Sequence, residues 1–361
     1  MFDRSKRVDI IVVGAGTAGL ATSIRARLSG MTVAVIDPRF IDADTGIDKP
    51  CGEGLMPPAV DRLAELGVTL RGGCPIHGVR YVFPRGAYDG DFRAGSGLGV
   101  RRTVLSAALL QRAEQLGVQL IAARADGYTD HGSHVSVGEW QAEWLVAADG
   151  LNSRLRAQAG LTDLIRGPRR YGVRAFATVK PWSDRVEVHW GRVGELYVTP
   201  VGPNLVNIAM LAPVGTPLSE LTAAYQPILE RCGPLSPWQG AAMFPQRSVR
   251  RQSGRLFLIG DAAGFVDPIT GEGNDLALNA ANALVGSLAE GRPEAYDARW
   301  LAVTRRYRLV TNALLMLTRH GRGVMPVVLG AAPWLLGAGV NYLSGTETHS
   351  VGTLQASPRQ A

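Results

Sequence analysis

A glycine-rich turn between a strand and a helix constrains this chain more than any other feature of its sequence. The β-branched residues 8–13 lead into Gly14-Ala-Gly16-Thr-Ala-Gly19, a helical pattern follows at residues 20–29, and a second strand, Val33–Ile36, ends at Asp37. In such a turn the first glycine allows the tight bend, the second lets a ligand approach the backbone, and the third lets the helix pack on the strand. The segment therefore predicts a βαβ unit.

The same segment indicates what lies against the turn. A helix N-terminus presents free N–H groups and a positive dipole end to phosphates, and the predicted contacts with a dinucleotide are Gly14, Gly16, Ala18 and Gly19. Asp37 follows Gly19 by eighteen residues, at a strand end where a carboxylate can bind ribose hydroxyls and repels a 2′-phosphate. The motif therefore favours FAD or NAD over NADP.

Two later strands also end in acidic and glycine residues. Residues 144–148 run into Asp149-Gly150, and residues 256–259 run into Gly260-Asp261. The loop before the next helical pattern supplies four further candidate contacts, Pro268, Gly271, Gly273 and Asn274. An aspartate at a strand end can accept hydrogen bonds from a polyol, and the proline and glycines leave bare backbone for a flat ring.

These three motifs, in this order, resemble those of the para-hydroxybenzoate hydroxylase superfamily of FAD proteins. Gly260-Asp261 is similar to its ribityl-binding motif, and Asp149-Gly150-Leu-Asn-Ser153-Arg154-Leu-Arg156 resembles its D-G-x-x-S-x-x-R motif. The resemblance covers residues 8–291 and implies bound FAD, with Arg102 near the cofactor pyrophosphate. A helix beginning near Gly273 would place its positive end beside the negative charge of reduced flavin. Because arginine stands at both 154 and 156, the sequence leaves open which one joins the motifs.

The order of patterns predicts an α/β fold: a Rossmann-like FAD-binding domain of the GR2 type, an inserted antiparallel β-sheet substrate domain, and C-terminal helices. The FAD-binding domain is predicted to be discontinuous, at residues 1–72, 98–165 and 246–293. Alternating segments within 73–97 and 166–245 are typical of an antiparallel sheet. Residues 294–361 are predicted to be a helical segment.

Composition excludes several classes of protein. With 46% hydrophobic residues the chain can bury a large core, and its three cysteines contain no C-x-x-C pair, so we expect no metal site and a reducing, cytoplasmic location. The net charge of +7 comes from scattered arginines, which we interpret as surface charge, so no nucleic-acid partner is expected. The broken apolar run at 324–344, with an arginine cluster at 305–308, leaves peripheral membrane contact open.

The resemblance implies a flavin oxidoreductase but does not determine which reaction the protein catalyses. Residues 51–54, Cys-Gly-Glu-Gly, resemble a loop of the geranylgeranyl reductases, which reduce C=C bonds, and more loosely a loop of flavin-dependent halogenases. The tryptophan-rich halogenase motif is missing, and residues 194–202 resemble the hydroxylase strand more than the reductase one. We therefore predict an FAD-dependent monooxygenase that uses O2 on a small apolar molecule, either phenolic, polyketide-like or lipid-linked. A C=C reductase, and after it a halogenase or a noncatalytic flavoprotein, are the alternatives.

Four residues are candidates for the chemistry: Cys51, Glu53, His189 and Tyr197. In the strand Val186–Trp190, alternation puts His189 on the face opposite Val186 and Val188, and periodicity leaves open which face lines the pocket. A histidine there could orient or deprotonate a phenol. A second G-x-G-x-x-G motif in a βαβ setting is missing from the sequence, so no dedicated nicotinamide domain is expected. The resemblance implies that NADPH or NADH acts as a transient electron donor.

Overall fold

The computed structural model describes residues 6–40, 46–84, 86–163, 169–320 and 324–343. In chain order the strands are β1 (Arg7–Val13), β2 (Val33–Ile36), β3 (Gly54–Leu55), β4 (Cys74–Ile76), β5 (Gly78–Phe83), β6 (Gly86–Asp91), β7 (Gly97–Gly99), β8 (Gln119–Ile121), β9 (Thr129–Asp130), β10 (Val135–Val137), β11 (Trp140–Ala147), β12 (Thr162–Asp163), β13 (Arg170–Ala177), β14 (Val186–Trp190), β15 (Glu195–Gly202), β16 (Leu205–Pro213), β17 (Gln239–Met243), β18 (Gln246–Ser248), β19 (Gln252–Ser253), β20 (Leu256–Leu258) and β21 (Gly264–Phe265).

The α-helices are α1 (Thr17–Leu28), α2 (Pro57–Glu65), α3 (Arg102–Gln115), α4 (Arg154–Gln158), α5 (Leu218–Ala224), α6 (Gln226–Cys232), α7 (Gly273–Ala289), α8 (Tyr296–His320), α9 (Val324–Ala331) and α10 (Trp334–Leu343). Three short 3-10 turns lie at Gly260–Ala262, Pro268–Thr270 and Pro293–Ala295.

One large sheet carries the glycine-rich turn. Its strands run in the order β19-β20-β11-β1-β2-β8, and β20, β11, β1, β2 and β8 are parallel. Strands β2 and β20 are buried at every residue because both faces of the sheet are covered, with α1 packed between α3 and α7. The predicted α/β fold and its βαβ unit are confirmed. The carboxyl ends of β1, β11 and β20 lie side by side, which brings the three motifs to one edge.

A second sheet has seven strands in the order β17-β13-β16-β15-β14-β5-β6. All neighbours are antiparallel except β14 and β5, which pair in parallel, Val186 opposite Val79. This pair departs from the predicted antiparallel sheet. The two strands come from separate excursions of the chain, so no hairpin fixes their relative direction. The domain boundaries given above stay a prediction.

The C-terminal helices close the molecule on the side of the second sheet. Helix α8 packs on α7, and α10 packs on β6, where Leu336 and Val340 join Phe83 in a small apolar cluster. Of the described helices, none is singly long and apolar enough to cross a membrane; Met325–Ala331 and Trp334–Leu343 pass that test only together, across a 105° bend. The last part of the predicted helical segment, residues 344–361, lies outside the described residues.

Candidate functional site

The turn between β1 and α1 has glycine at three positions of its motif, and two of them accept only glycine. Gly14 has a φ of +108°, and a Cβ there would overlap the carbonyl oxygen of Ala148 just beyond β11. A Cβ at Gly19 would overlap the carbonyl oxygen of Gly14. Gly16 differs, because its φ is −72° and no atom lies within 4 Å of a Cβ built there. Gly16 lines the main cavity, so its bare side is open to a ligand.

Ala18 and Asp37 flank this turn, and both line the cavity. The Asp37 carboxylate accepts hydrogen bonds from the Ala15 N–H at 2.7 Å and from Arg39 Nε at 2.8 Å. Burial alone would raise its pKa, but the hydrogen bonds from Arg39 and Ala15 leave that pKa below its ordinary value. No sequence motif marks Arg39, and the predicted contact of Asp37 with ribose stays a prediction.

The segment after β11 presents a free acceptor to the cavity. Asp149 Oδ2 accepts from the Arg154 N–H at 2.9 Å, whereas Asp149 Oδ1 is buried without a protein partner. Gly150 has a φ of +83° and no atom within 4 Å of a Cβ. Both residues line the cavity. A ligand group that donates a hydrogen bond would satisfy Asp149 Oδ1.

The choice between the two arginines of this segment is made by burial. The Arg156 guanidinium is buried and donates to the Ala262 carbonyl at 3.0 Å and to the Leu151 carbonyl at 2.9 Å. The Arg154 side chain is 58% exposed and pairs with Asp126 at 3.2 Å. Arg156 therefore joins the segment after β11 to the segment after β20.

This difference predicts unequal effects of two matched substitutions. We expect Arg156→Met to lower the free energy of unfolding by about 2–4 kcal/mol, because one buried and one partly buried carbonyl group lose their donor. Arg154→Met should cost less than about 0.5 kcal/mol, since solvent screens the exposed pair. Urea unfolding of the two FAD-loaded variants measures both values, and equal losses would contradict the assignment of Arg156.

The segments after β20 form the far end of the predicted cofactor cleft. Asp261 Oδ2 lies 3.2 Å from Lys49 Nζ. Pro268, Gly271 and Gly273 line the cavity, and no atom lies within 4 Å of a Cβ built at either glycine. Helix α7 begins at Gly273, so its free N–H groups and positive dipole end are at this point of the cavity.

Arg102 and Asn274 connect the glycine-rich turn to the start of α7 and to the loop at residues 51–54. Arg102 Nη1 donates to Asn274 Oδ1 at 2.8 Å, and Thr17 Oγ1 of the glycine-rich turn donates to the same oxygen at 2.9 Å. The Arg102 N–H donates to Glu53 Oε1 at 3.1 Å. The network therefore links α1, α3, α7 and the loop at residues 51–54.

One cavity of about 1720 Å³ contains nearly all of these residues. Of the predicted cofactor contacts, only Gly19 is outside its lining, because Gly19 serves the packing of α1. Binding sites for one small molecule usually measure about 300–1,000 Å³, so this cavity exceeds the needs of a single such ligand. Where it reaches the seven-stranded sheet and the C-terminal helices its walls are apolar, formed by Val79, Val186, Val188, Leu315, Leu336 and Val340.

The cavity identifies the inner face of the seven-stranded sheet. Val186, Val188, Tyr197 and Thr199 line it, whereas His189 does not. His189 instead lies on the other face, with Nε2 3.1 Å from Glu187 Oε2. The structure therefore does not bring the predicted catalytic histidine to the cavity, because the alternation of β14 turns it away.

Glu53 is the most unusual residue of the cavity. Its φ of +59° lies in the left-handed region, it is the one described non-glycine residue with a positive φ, and its side chain is 3% exposed. Oε1 accepts from the Arg102 N–H, and Oε2 is buried without a protein partner. Burial raises the pKa of Glu53 to about 7, in spite of the Arg102 hydrogen bond and the charge of Arg174. Both protonation states are therefore accessible near neutral pH.

The rest of the loop at residues 51–54 is held from the sheet. Asn207 Nδ2 of β16 donates to the carbonyl oxygens of Cys51 at 3.2 Å and Gly52 at 3.0 Å. Cys51 Sγ lies 3.4 Å from the Glu53 nitrogen, and Cys51 lines the cavity. These bonds fix the loop against the same wall as Tyr197.

Tyr197 meets the loop that precedes α7. Its hydroxyl donates to the Ile269 carbonyl oxygen at 3.4 Å. Burial raises the pKa of Tyr197 well above its ordinary value, and nearby Glu195 adds to the shift. Tyr197 therefore stays protonated and can donate a hydrogen bond in the cavity but cannot serve as a base at neutral pH.

Two buried arginines are not predicted from the sequence, because the scattered arginines are interpreted there as surface charge. Arg174 is 3% exposed, lines the cavity, and donates to Asp48 at 2.7 Å and to Gln239 at 2.6 Å. Arg170 is buried between Glu195 and Asp267, 3.0 Å from the latter, which ties β13 to the loop at Pro268. An arginine within an otherwise buried strand is the signal that could have found both.

A second buried carboxyl lies directly before α7. Glu272 is 5% exposed, and its Oε2 has no protein partner. Burial raises its pKa to about 8, and the neighbouring Asp275 adds to the shift. Across the described residues, no group of three or more His, Cys, Asp and Glu side chains is arranged to hold a metal ion.

The parallel sheet, its glycine-rich turn and the single cleft along three strand ends define an FAD-binding flavoprotein fold. The chain belongs to the FAD binding domain family, whose model matches residues 7–217 and 218–318. The protein is an FAD-dependent oxidoreductase.

Similar proteins carry several activities. The chain is 30% identical to menaquinone reductase of Mycobacterium tuberculosis (strain ATCC 25618 / H37Rv), over 87% of this chain and 81% of that protein. It is 27% identical to a putative 2-heptyl-3-hydroxy-4(1H)-quinolone synthase of Rhodococcus erythropolis, over 77% and 79% of the two chains. A flavoprotein/dehydrogenase structure from Cytophaga hutchinsonii superposes with a TM-score of 0.79 at 17% identity, over 94% and 93% of the chains, which speaks for the fold alone.

FAD suits the residues of the cavity. Bare backbone at Gly16, Gly150, Gly271 and Gly273 follows one cleft, so a ligand can lie against it without meeting a side chain. The unpartnered Asp149 Oδ1 in that cleft needs a donor, which hydroxyl groups of a dinucleotide provide. The N-termini of α1 and α7 present N–H groups to the same cavity and suit the phosphates and the electron-rich ring edge.

Proposed function

We propose that this flavoprotein is a monooxygenase that takes two electrons from NADH or NADPH, inserts one atom of O2 into the ring of a small molecule with a long apolar tail, and releases the other atom as water. The observation that carries the proposal is the continuity of the cofactor cleft with an apolar chamber formed by Val186, Val188, Leu336 and Val340. Oxygen transfer requires a site that excludes water, because water diverts a reactive oxygen species. An apolar chamber beside the predicted flavin position makes that position unfavourable for water.

Bound FAD would supply the redox chemistry, which side chains alone do not provide. Gly16 and the N-terminus of α1 would hold its pyrophosphate, and Asp261 would accept from its ribityl chain. The N-terminus of α7 would stabilise negative charge at the ring edge. Glu53 would exchange a proton with the substrate, since a general acid or base works best with a pKa near the operating pH.

The volume and walls of the cavity support an amphiphilic substrate. Beyond the space for a dinucleotide, the cavity offers a polar wall at Glu53 and Arg174 and an apolar wall along the C-terminal helices. A ring with ionisable groups suits the first wall, and an alkyl or isoprenoid tail suits the second. The names of two relatives, a menaquinone reductase and a heptyl-quinolone synthase, denote ring compounds that carry such tails.

A C=C reductase is the second candidate. Such a reaction delivers a hydride to one carbon and a proton to the other, so it needs an acid that is protonated at neutral pH. Glu53, with a pKa of about 7 and a free Oε2, could supply that proton. The loop at residues 51–54 and the similarity to menaquinone reductase favour this candidate.

Oxygen uptake and product mass separate the two candidates. FAD-loaded protein would be mixed with NADPH or NADH and either a long-chain alkylphenol or menaquinone, with an oxygen electrode and mass spectrometry as readouts. We expect oxygen uptake that depends on the alkylphenol and a product that has gained one oxygen atom. A product that has gained two hydrogen atoms without oxygen uptake would replace the monooxygenase by the reductase. A flavin that neither nucleotide bleaches under nitrogen would contradict both.

A further inference from the structure

The three C-terminal helices carry an exposed apolar surface. Val327 is 69% exposed, Trp334 is 70% exposed and Met316 is 67% exposed, although all three are large apolar side chains. We define the C-terminal apolar surface by its exposed members, which are Leu309, Met316, Leu317, Val327, Val328, Trp334, Leu335 and Tyr342. Large apolar side chains exposed together on three neighbouring helices mark an interaction surface.

The main cavity opens through this surface. Leu317, Val328 and Leu335 are each exposed to solvent and also line the cavity. Residues that do both form the rim of an opening. Because Leu336 and Val340 continue the lining inward, an apolar path leads from the C-terminal apolar surface toward the predicted flavin position.

The charge of the same helices selects one class of partner. From residue 298 to residue 343 the sequence contains six arginines and no aspartate or glutamate, and of these six Arg299 is paired with Glu290. Asp297, at the start of α8, is paired with Arg251. Arg305 is exposed, and the Arg306 guanidinium lies 5.2 Å from the ring centre of Tyr342, within the apolar surface. On the adjacent strand β6, Asp89 and Asp91 are paired with Arg80 and Arg185, so they do not offset this positive charge.

We infer that the C-terminal apolar surface docks on an anionic lipid bilayer and that the apolar tail of the substrate passes from the bilayer into the cavity through the opening. The docking rests on the exposed side chains and arginines, and only the passage of the substrate rests on the proposed function. A bilayer accepts apolar side chains at its interface and attracts arginine through anionic headgroups. A second copy of this chain would instead bring two sets of arginines together.

Vesicle flotation of the FAD-loaded full chain tests the docking. We expect binding to vesicles of equal parts phosphatidylcholine and phosphatidylglycerol, and little binding to phosphatidylcholine alone. Arg305→Gln should weaken binding roughly fivefold, because one interfacial arginine contributes about 1 kcal/mol at an anionic surface. Val327→Ser combined with Trp334→Ser should weaken it more than roughly tenfold. None of these residues lines the cavity, so flavin content should not change.

Matched controls keep the result specific to this surface. Val214→Ser removes an apolar side chain that is 55% exposed elsewhere, and Arg71→Gln removes an exposed arginine beyond α2; both should bind vesicles as the parent chain does. Equal binding of all variants, no binding by the parent chain, or a dimer that Trp334→Ser dissociates would overturn the docking. Vesicle binding without oxygenase or reductase turnover would support the docking and contradict the proposed function.

Discussion

Gly16→Val is expected to give a folded protein that purifies without FAD. The backbone at Gly16 is extended, with a φ of −72° that valine adopts readily, and no protein atom lies within 4 Å of the new Cβ. The valine side chain would instead fill the side of the turn that faces the cavity, where the pyrophosphate is predicted to approach. The absorbance of bound flavin measures the loss, and circular dichroism checks the fold.

A matched glycine separates this effect from a general cost of valine. Gly86 begins the edge strand β6, its Cβ would meet only the Tyr88 hydroxyl at 3.9 Å, and it is outside the cavity lining. Gly86→Val should keep a full complement of FAD. If Gly16→Val retained the yellow colour of the parent protein, the predicted pyrophosphate position would be wrong.

Glu53→Gln is expected to reduce turnover roughly 10²–10⁴-fold while FAD stays bound, since the variant loses a positioned proton-transfer group. Glutamine still accepts the hydrogen bond from the Arg102 N–H, so the loop should keep its conformation. Anaerobic reduction of the flavin by NADPH should continue, because it needs no proton transfer to the substrate. The exposed Glu65 of α2 provides the control, and Glu65→Gln should have parental turnover. Parental turnover by Glu53→Gln would remove Glu53 from the mechanism.

The pH profile of turnover distinguishes the two proposed reactions through Glu53. A monooxygenase in which Glu53 accepts a phenol proton needs the carboxylate, so turnover should rise through the raised pKa of Glu53, about 7. A reductase in which Glu53 donates a proton needs the acid, so turnover should fall through the same pH. Either dependence should disappear in Glu53→Gln.

Glu53 also makes the stability of the folded protein depend on pH. Its pKa is raised by burial from 4.5 to about 7, so between these values the unfolded chain releases a proton that the folded protein keeps. The contribution of Glu53 to the free energy of unfolding therefore falls as the pH rises from 4.5 to about 7, and it is constant outside that range. The fall should be absent in Glu53→Gln.

Much of the fold could be predicted from the sequence because the decisive signals are local. The strand, turn and helix around Gly14 and Gly19 follow from backbone requirements within a few residues, and their overlap with neighbouring carbonyl groups shows why glycine is needed there. The parallel pairing of β5 with β14 could not be predicted, because it joins two distant parts of the chain. Period-two alternation correctly separates His189 from Val188 but does not say which face is inside. That choice depends on where the C-terminal helices pack.

The parts of the candidate site that consist of backbone motifs could be predicted from the sequence. The parts that depend on the burial of particular side chains could not. Arg154 and Arg156 both follow the same helix cap, and only burial separates the one that bridges two loops from the one in solvent. Arg174 lies in no recognisable motif. Because arginines are scattered along the whole chain, nothing in the sequence distinguishes Arg174 as a residue of the cavity. Likewise, the raised pKa of Glu53 comes from its burial, which no local pattern encodes.

The strand order of the large sheet also sets when the protein can fold during its synthesis. Strand β11 ends at Ala147. Its outer edge is paired with β10 at residues 140–142, but at residues 145–147 it pairs with β20, which begins at Leu256. A ribosome adds about 5–20 residues per second, so this last part of the edge stays unpaired for roughly 5–20 s. An uncovered strand edge can pair with a strand of another chain. Nascent chains of this protein are therefore exposed to misassociation until late in translation, and chaperones that bind strand edges should matter most in that interval.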